Sequence, residues 1–173
     1  MNGIFSRGEP AGEQLVAWWS SLDHHRGVRA ELHRCRDEVE AALHPAVVRF
    51  CYRLRPEVTG ERGWEGRVAM ILGLASHLDR HATAEVLGSD KTLAERMAER
   101  VGDRPKVSEL RFRRLLRLDR PQLYAPTMRV LRLLDGRAGL HDLANAIYYW
   151  GKGVRKEWAD TYFPLVPAKG SEQ

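Results

Sequence analysis

Apolar residues recur at spacings of three and four along nearly the whole chain. No segment alternates apolar and polar residues for more than a few positions. A period near 3.6 buries one stripe of a helix, whereas a half-buried strand needs a period of two. The chain is therefore expected to be all-α. Leu15, Trp18, Trp19 and Leu22 share one side of a helix over 13–22. Leu32, Cys35, Val39 and Leu43 form the inner stripe of a longer one over 28–44. Pro45 opens the next helix, which carries Val47, Val48, Phe50, Cys51 and Leu54; a proline costs nothing there because its missing N–H would be unpaired. Pro56, Gly60 and Gly63 mark a loop. A helix over 64–78 follows, with Val68, Ile71, Leu72, Ala75 and Leu78 in line, then a short one over 91–101.

The strongest punctuation inside the chain is Gly102-Asp103-Arg104-Pro105. It suggests a division into two small packed helix bundles, 13–102 and 106–163, with an N-terminal tail over 1–12 and a flexible tail over 164–173. In the second part, Ser108 is a candidate N-cap for a helix through 118 with Phe112, Leu115 and Leu116 inward. Asp119 then opens a helix to 134 that Pro126 kinks or splits. Helices over 142–150 and 154–163 complete the count. The 173 residues, 43% hydrophobic and 29% charged, suit a globular chain rather than a disordered one. No run approaches 18 apolar residues, so no membrane partner is expected. The start lacks the apolar stretch of a signal peptide, and two cysteines make no disulfide framework, so a cytoplasmic protein is expected.

Chemistry-bearing motifs are sparse. His24 and His25 are adjacent and would point apart on a helix. His77 and His81 have the i,i+4 spacing of a metal pair, but a solvated surface pair is the plainer reading. Gly151-Lys152-Gly153 is not a phosphate loop. Cys35 and Cys51 fall near inner stripes, where free thiols are small hydrophobes. Asp119 and Asp142 sit where helices begin and suit caps. No catalytic residue, metal site or cofactor is assigned. The aromatic residues read as packing rather than as platforms for bases.

Charge is informative because it is uneven. The chain carries a net +5, and 23 of its 28 basic residues are arginine. Between Arg104 and Arg132 stand Arg104, Lys106, Arg111, Arg113, Arg114, Arg117, Arg120, Arg129 and Arg132, opposed only by Glu109 and Asp119. That window is +7 and the rest of the chain −2. Arg113, Arg117 and Arg120 would form one strip on a continuous helix, and Arg129 and Arg132 lie a turn apart. Like charges so placed repel and do not stabilise a helix. A polyanion converts that repulsion to attraction, since guanidinium forks match phosphate oxygens and binding releases counterions. A weaker basic group surrounds Arg26, Arg29, His33, Arg34 and Arg36, and Arg49, Arg53 and Arg55 form a third. Three rival readings stand beside contact with a nucleic-acid backbone: a helical subunit whose arginine face docks only on protein, a small metal-dependent enzyme using His77 and His81, and a site-specific DNA regulator.

Three stretches resemble one family, the CasB small subunit of the type I-E CRISPR surveillance complex, Cascade. Arg29-Ala30-Glu31-Leu32-His33-Arg34 is similar to that family's Arg-Ala-x-Leu-Arg-Arg, with His33 where arginine is usual. Ser108-Glu109-Leu110-Arg111-Phe112-Arg113-Arg114-Leu115-Leu116 is similar to its Ser-x-x-Arg-Phe-x-x-Leu-Leu, and Met128-Arg129-Val130-Leu131-Arg132-Leu133-Leu134 to the stretch that follows. The third is the ending with Trp150, Trp158-Ala159 and Tyr162-Phe163. The resemblance implies an all-helical, noncatalytic subunit present in two copies, head to tail, against the repeated backbone subunits and near the large subunit. It implies basic surfaces on guide RNA and target DNA that help hold an R-loop open. Arg29, Arg34, Arg111, Arg113, Arg114, Arg129 and Arg132 are the expected contacts by resemblance, and Arg117 and Arg120 join them by charge. Arg111, beside Phe112, has an internal acid as its alternative partner.

Overall fold

After a polar first turn with Glu65 and Arg67, helix α5 (Trp64–Ala75) is apolar on every side from Val68 on, so the rest of the chain must surround it. Val68, Ala69, Met70, Ile71, Leu72, Leu74 and Ala75 have no exposed surface. In the computed structural model, which describes residues 2–58 and 60–168, α5 packs against α2 (Arg26–His33), α3 (Glu38–Ala42), α4 (Pro45–Leu54), α8 (Tyr124–Leu133) and α9 (Leu140–Tyr148). Helix α1 (Pro10–Ser21) reaches it through the Trp19 indole, whose N–H donates to the Ala75 carbonyl at 3.1 Å. Helix α6 (Leu93–Ala98) packs on α10 (Lys152–Leu165), and α7 (Glu109–Leu116) lays Phe112 flat on Tyr162 of α10, with ring centroids 3.8 Å apart. The fold is all-α, as expected, and its buried residues form one cluster from Phe5 to Tyr162.

Several boundaries differ from the sequence reading, each for a local reason. The long helix expected over 28–44 breaks after His33. The Asp37 carboxylate accepts the Glu40 N–H at 2.9 Å and starts α3 anew, and Glu40 accepts the Arg36 N–H in return. The restart rotates the stripe, so Val39 and Leu43 are 63% and 78% exposed rather than inward. Val48 is likewise exposed on α4. The helix expected to reach Val101 stops at Ala98. Its start is a capping box between Thr92 and Glu95, and beyond it lies a two-residue hairpin, β1 (Arg100–Val101) on β2 (Arg104–Pro105), turning at Gly102 with φ +62°. Glu99 holds the base of that hairpin with Lys91, Arg96 and Lys106. The stretch before α1, expected as a tail, buries Phe5 completely against Tyr148, and the Phe5 N–H donates to Asn145 Oδ1. At the other end α10 continues through Leu165, into the expected tail over 164–173, whose residues 169–173 lie outside the described residues.

Two glycines place α8. Gly73 of α5 leaves room for Tyr124, whose hydroxyl would lie 2.2 Å from any Cβ there. Pro126 falls in the first turn of α8, so it starts the helix without kinking it. The helix ends in a Schellman motif: the Gly136 N–H donates to the Leu131 carbonyl and the Asp135 N–H to that of Arg132. Asp135 and Gly136 both have positive φ, 54° and 70°. The Gly136 carbonyl then accepts the Asp79 N–H at 3.0 Å, fastening the end of α8 to the turn that follows α5.

A Cβ on residue 136 would meet the Asp79 nitrogen at 2.6 Å and the His77 carbonyl at 2.8 Å. Gly136→Ala is expected to lower stability by about 2–4 kcal/mol, from left-handed strain plus displacement of that turn. A urea unfolding curve with an unchanged slope and a lower midpoint is the expected observation.

Candidate nucleic-acid interface

Helices α7 and α8 enclose an open groove of about 640 Å³. Arg111 and Arg114, three residues apart on α7, stand on one rim, and Arg129 and Arg132, three apart on α8, on the other. Leu115, Leu118, Pro126, Val130 and Leu133 line the space between. The geometry begins at Ser108, whose hydroxyl accepts the Arg111 N–H and sets the first turn of α7. Burial of Phe112 and Leu115 then leaves Arg111 and Arg114 exposed on the flank. On α8, burial of Thr127, Val130 and Leu131 does the same for Arg129 and Arg132. Among the described residues, no carboxylate lies within ion-pair distance of these four guanidinium groups. Arg111 therefore faces the groove and not an internal acid.

The other expected contacts separate. The strip of Arg113, Arg117 and Arg120 does not form, because α7 ends at Leu116 and a 3-10 turn (Arg120–Gln122) intervenes. Arg113 lies off the groove, pairs with Glu109 at 3.2 Å and stands 5.9 Å from the Phe163 ring. Arg117 is exposed at the C-cap of α7. Arg120 turns inward and donates to the carbonyls of Ile147, Tyr148 and Trp150 at 3.1–3.2 Å, closing the C-terminal end of α9. Burial lowers its pKa, with Arg67 adding to the effect.

Arg29 and Arg34 belong to a second groove, of about 540 Å³, which they share with Arg26, His33, Arg80 and His81. Arg34 is exposed. Arg29 is mostly engaged, donating to the Leu78 carbonyl at 2.7 Å, and burial followed by Arg80 lowers its pKa. His33, in the lining of the second groove, belongs to a histidine pair that sequence reading missed as a pair. The His33 ring stacks on His77 with centroids 4.0 Å apart and planes at 35°. Burial, then His33 and Arg132, push the His77 imidazole down to about 4. Burial, then Arg132 and Arg29, lower His33. Arg132 on the first groove thus acts on both rings beside the second. One signal for the second groove was present in sequence: Arg26, Arg29, Ala30 and His33 share one face at helical spacing.

The i,i+4 reading of His77 and His81 does not hold, since α5 stops at Ala75 and the two rings have different neighbours: His33 for the first, Arg80 for the second. Among the described residues, no three His, Cys, Asp or Glu side chains are placed to hold a metal ion. Asp142 caps α6 rather than its own helix, accepting the Leu93 N–H at 2.6 Å. Burial raises both thiols, Cys51 to about 11, so they stay protonated and unreactive near neutrality. No described helix is long and apolar enough to cross a membrane.

Comparison with known proteins places the chain in one class, the CRISPR-associated proteins. The profile of CRISPR-associated protein Cse2 matches residues 28–163, and the chain belongs to that family, in keeping with the CasB resemblance of its motifs. A chain in the crystal structure of E. coli Cascade bound to a PAM-containing dsDNA target is 20% identical, with a TM-score of 0.65 over 87% of this chain and 93% of that one. CasB from Thermus thermophilus is 19% identical, with a TM-score of 0.65 over 90% and 98% of the two chains. No curated protein sequence matches.

Two outcomes follow for the arginines and the histidine. Arg120→Ala removes a donor from three carbonyls, of which Tyr148 keeps only the longer bond from Arg67 and Ile147 only that from the Trp150 N–H, and is expected to cost about 1–3 kcal/mol, whereas Arg114→Ala is expected to stay within about 0.5 kcal/mol; thermal unfolding of the two variants checks both. A folded-state imidazole held near 4 against an unfolded value near 6.5 means the unfolded chain binds the extra proton. Stability is therefore full above about pH 6.5 and falls as pH drops toward 4, by on the order of 1 kcal/mol after solvent screening at this part-exposed group. His77→Gln is expected to flatten that part of the pH–stability curve.

Proposed function

We propose that this chain is the noncatalytic small subunit of an RNA-guided Cascade complex, and that the α7–α8 groove holds the sugar-phosphate backbone of guide RNA or target DNA. The observation that carries the reading is the groove itself, where two helices bring together four exposed guanidinium groups without an acid among the described residues to neutralise them. Phosphate oxygens are the natural complement to such a rim, since each guanidinium fork can bond two of them. Family membership and the shared fold support the assembly: one similar chain was solved within Cascade on a dsDNA target. In that setting the partners are the backbone and large subunits and a second copy of the chain.

The mechanism is electrostatic and indifferent to sequence. Base pairing with a guide selects the target, and the arginine rim contributes backbone attraction. Exchanging a DNA duplex for an RNA–DNA duplex is nearly balanced, so a few added phosphate contacts shift the R-loop toward the open form. Arg111, Arg114, Arg129 and Arg132 are the principal contacts in this reading. Arg34 and Arg117 flank them, while Arg29 and Arg120 position the elements that carry them.

A salt titration of single-stranded oligonucleotide binding tests this. Four neutralised phosphates predict a log–log slope of about −3. Reversing Arg114 and Arg129 to Glu is expected to lower affinity by at least about tenfold and to flatten the slope with helix content unchanged. Reversing Arg49 and Arg53, which are exposed on α4 away from the lining of either groove, is expected to leave both intact. Absence of binding at low salt, in the isolated chain and the assembled complex alike, would assign the arginine face to a protein partner.

A further inference from the structure

Arg132 of the first groove acts on His33 of the second and on the His77 ring stacked on it, and this pair has properties that neither groove needs for its own arginines. Two imidazole rings stack at 4.0 Å, one from α2 and one from the turn after α5. The Nε2 atom of His77 is buried and has no hydrogen-bond partner among the described residues. Buried polar atoms are ordinarily satisfied, and this orphan sits on the ring stacked against His33, which lines the second groove. The charged surroundings are nearly all of one sign. Arg132 acts on the rings from α8 and Arg29 from α2 itself; Arg80 and His81 also line the second groove, with Asp79 in its lining and Asp23 3.8 Å from Arg29 as its acids. The Gly136–Asp79 backbone bond holds the end of α8 against this turn, so Arg132 and the rings keep their relation.

Resting on the backbone-contact reading, we propose that the His33–His77 pair is a further phosphate site, joining the two arginine grooves into one track and taking up a proton when a phosphodiester enters. In the free protein, burial, then His33 and Arg132, push the His77 imidazole down to about 4, and burial, then Arg132 and Arg29, lower His33. A phosphodiester entering the seam supplies the negative charge that is missing. It offsets the repulsion from Arg132 and Arg29, and the ring nitrogens then serve it best as N–H donors. One imidazole gains a proton and becomes a charged donor to a phosphate oxygen. No covalent bond changes; the proton comes from solvent. Because bound protein holds more protons than free protein, affinity must rise as pH falls. The seam thus carries a charge that appears only on binding.

The probe is oligothymidylate with 5′- and 3′-hydroxyl ends, which has no group titrating in the range, measured against the full chain from pH 8 to pH 5.5 at constant ionic strength. Affinity is expected to rise by about five- to tenfold, the limit for one proton over one pH unit being tenfold. His33→Arg is expected to bind at every pH at least as well as wild type does in acid, with a flat profile. His81→Gln is expected to keep the rise. A flat wild-type profile, or a rise that survives in His33→Arg, overturns the proposal while leaving the arginine grooves as the binding site if the salt dependence persists. Binding absent at every pH and low salt removes the backbone-contact reading itself, and the seam with it.

Discussion

From Val68 to Ala75 helix α5 has no solvent side, and that constraint organises everything else. A helical stretch buried all round must be enclosed by neighbours, and here they come from before and after it in the chain. Enclosure demands close approach, which Gly73 permits at Tyr124 and Gly136 permits at the turn of residues 77–79. Those contacts fix where α8 lies. Because α8 supplies one rim of the first groove and Arg132 at the histidine seam, the packing of an apolar helix determines the layout of surface charge.

The arginines divide into two populations that composition alone cannot separate. Arg29, Arg67, Arg120 and Arg155 donate to backbone carbonyls near helix ends and loops. They hold elements together, and their removal leaves desolvated acceptors. Arg111, Arg114, Arg129 and Arg132 stand out from the packed faces of α7 and α8. The excess charge of the stretch from Arg104 to Arg132 thus has two meanings: part of it is internal bracing and part is a surface held for an anion.

Helical period was legible throughout, since burial of residues such as Leu15, Phe50, Ile71, Phe112 and Leu143 enforces it. The caps at Asp37 and at the Thr92–Glu95 box were harder to see, because a side chain that restarts a helix competes locally with an apolar stripe that seems to continue. Val39 and Leu43 were misplaced for that reason, and Val101 because the hairpin that turns at Gly102 ends the helix at Ala98. The two rims of the first groove were legible as i,i+3 arginine pairs, but their convergence depends on how α8 docks on α5. Arg120 read as part of a surface strip because nothing in its spacing reveals the three carbonyls it meets. The His33–His77 pair joins residues 44 positions apart in sequence, and no local pattern signals it.

The central claim is that one groove, rather than basic charge in general, receives the phosphate chain. Arginine-selective chemical modification read residue by residue by mass spectrometry, with and without a bound single strand, addresses it most directly. The account predicts protection of Arg111, Arg114, Arg129 and Arg132, with Arg49 and Arg53 modified equally in both states. Protection centred on α4 with the four groove arginines still reactive would contradict it.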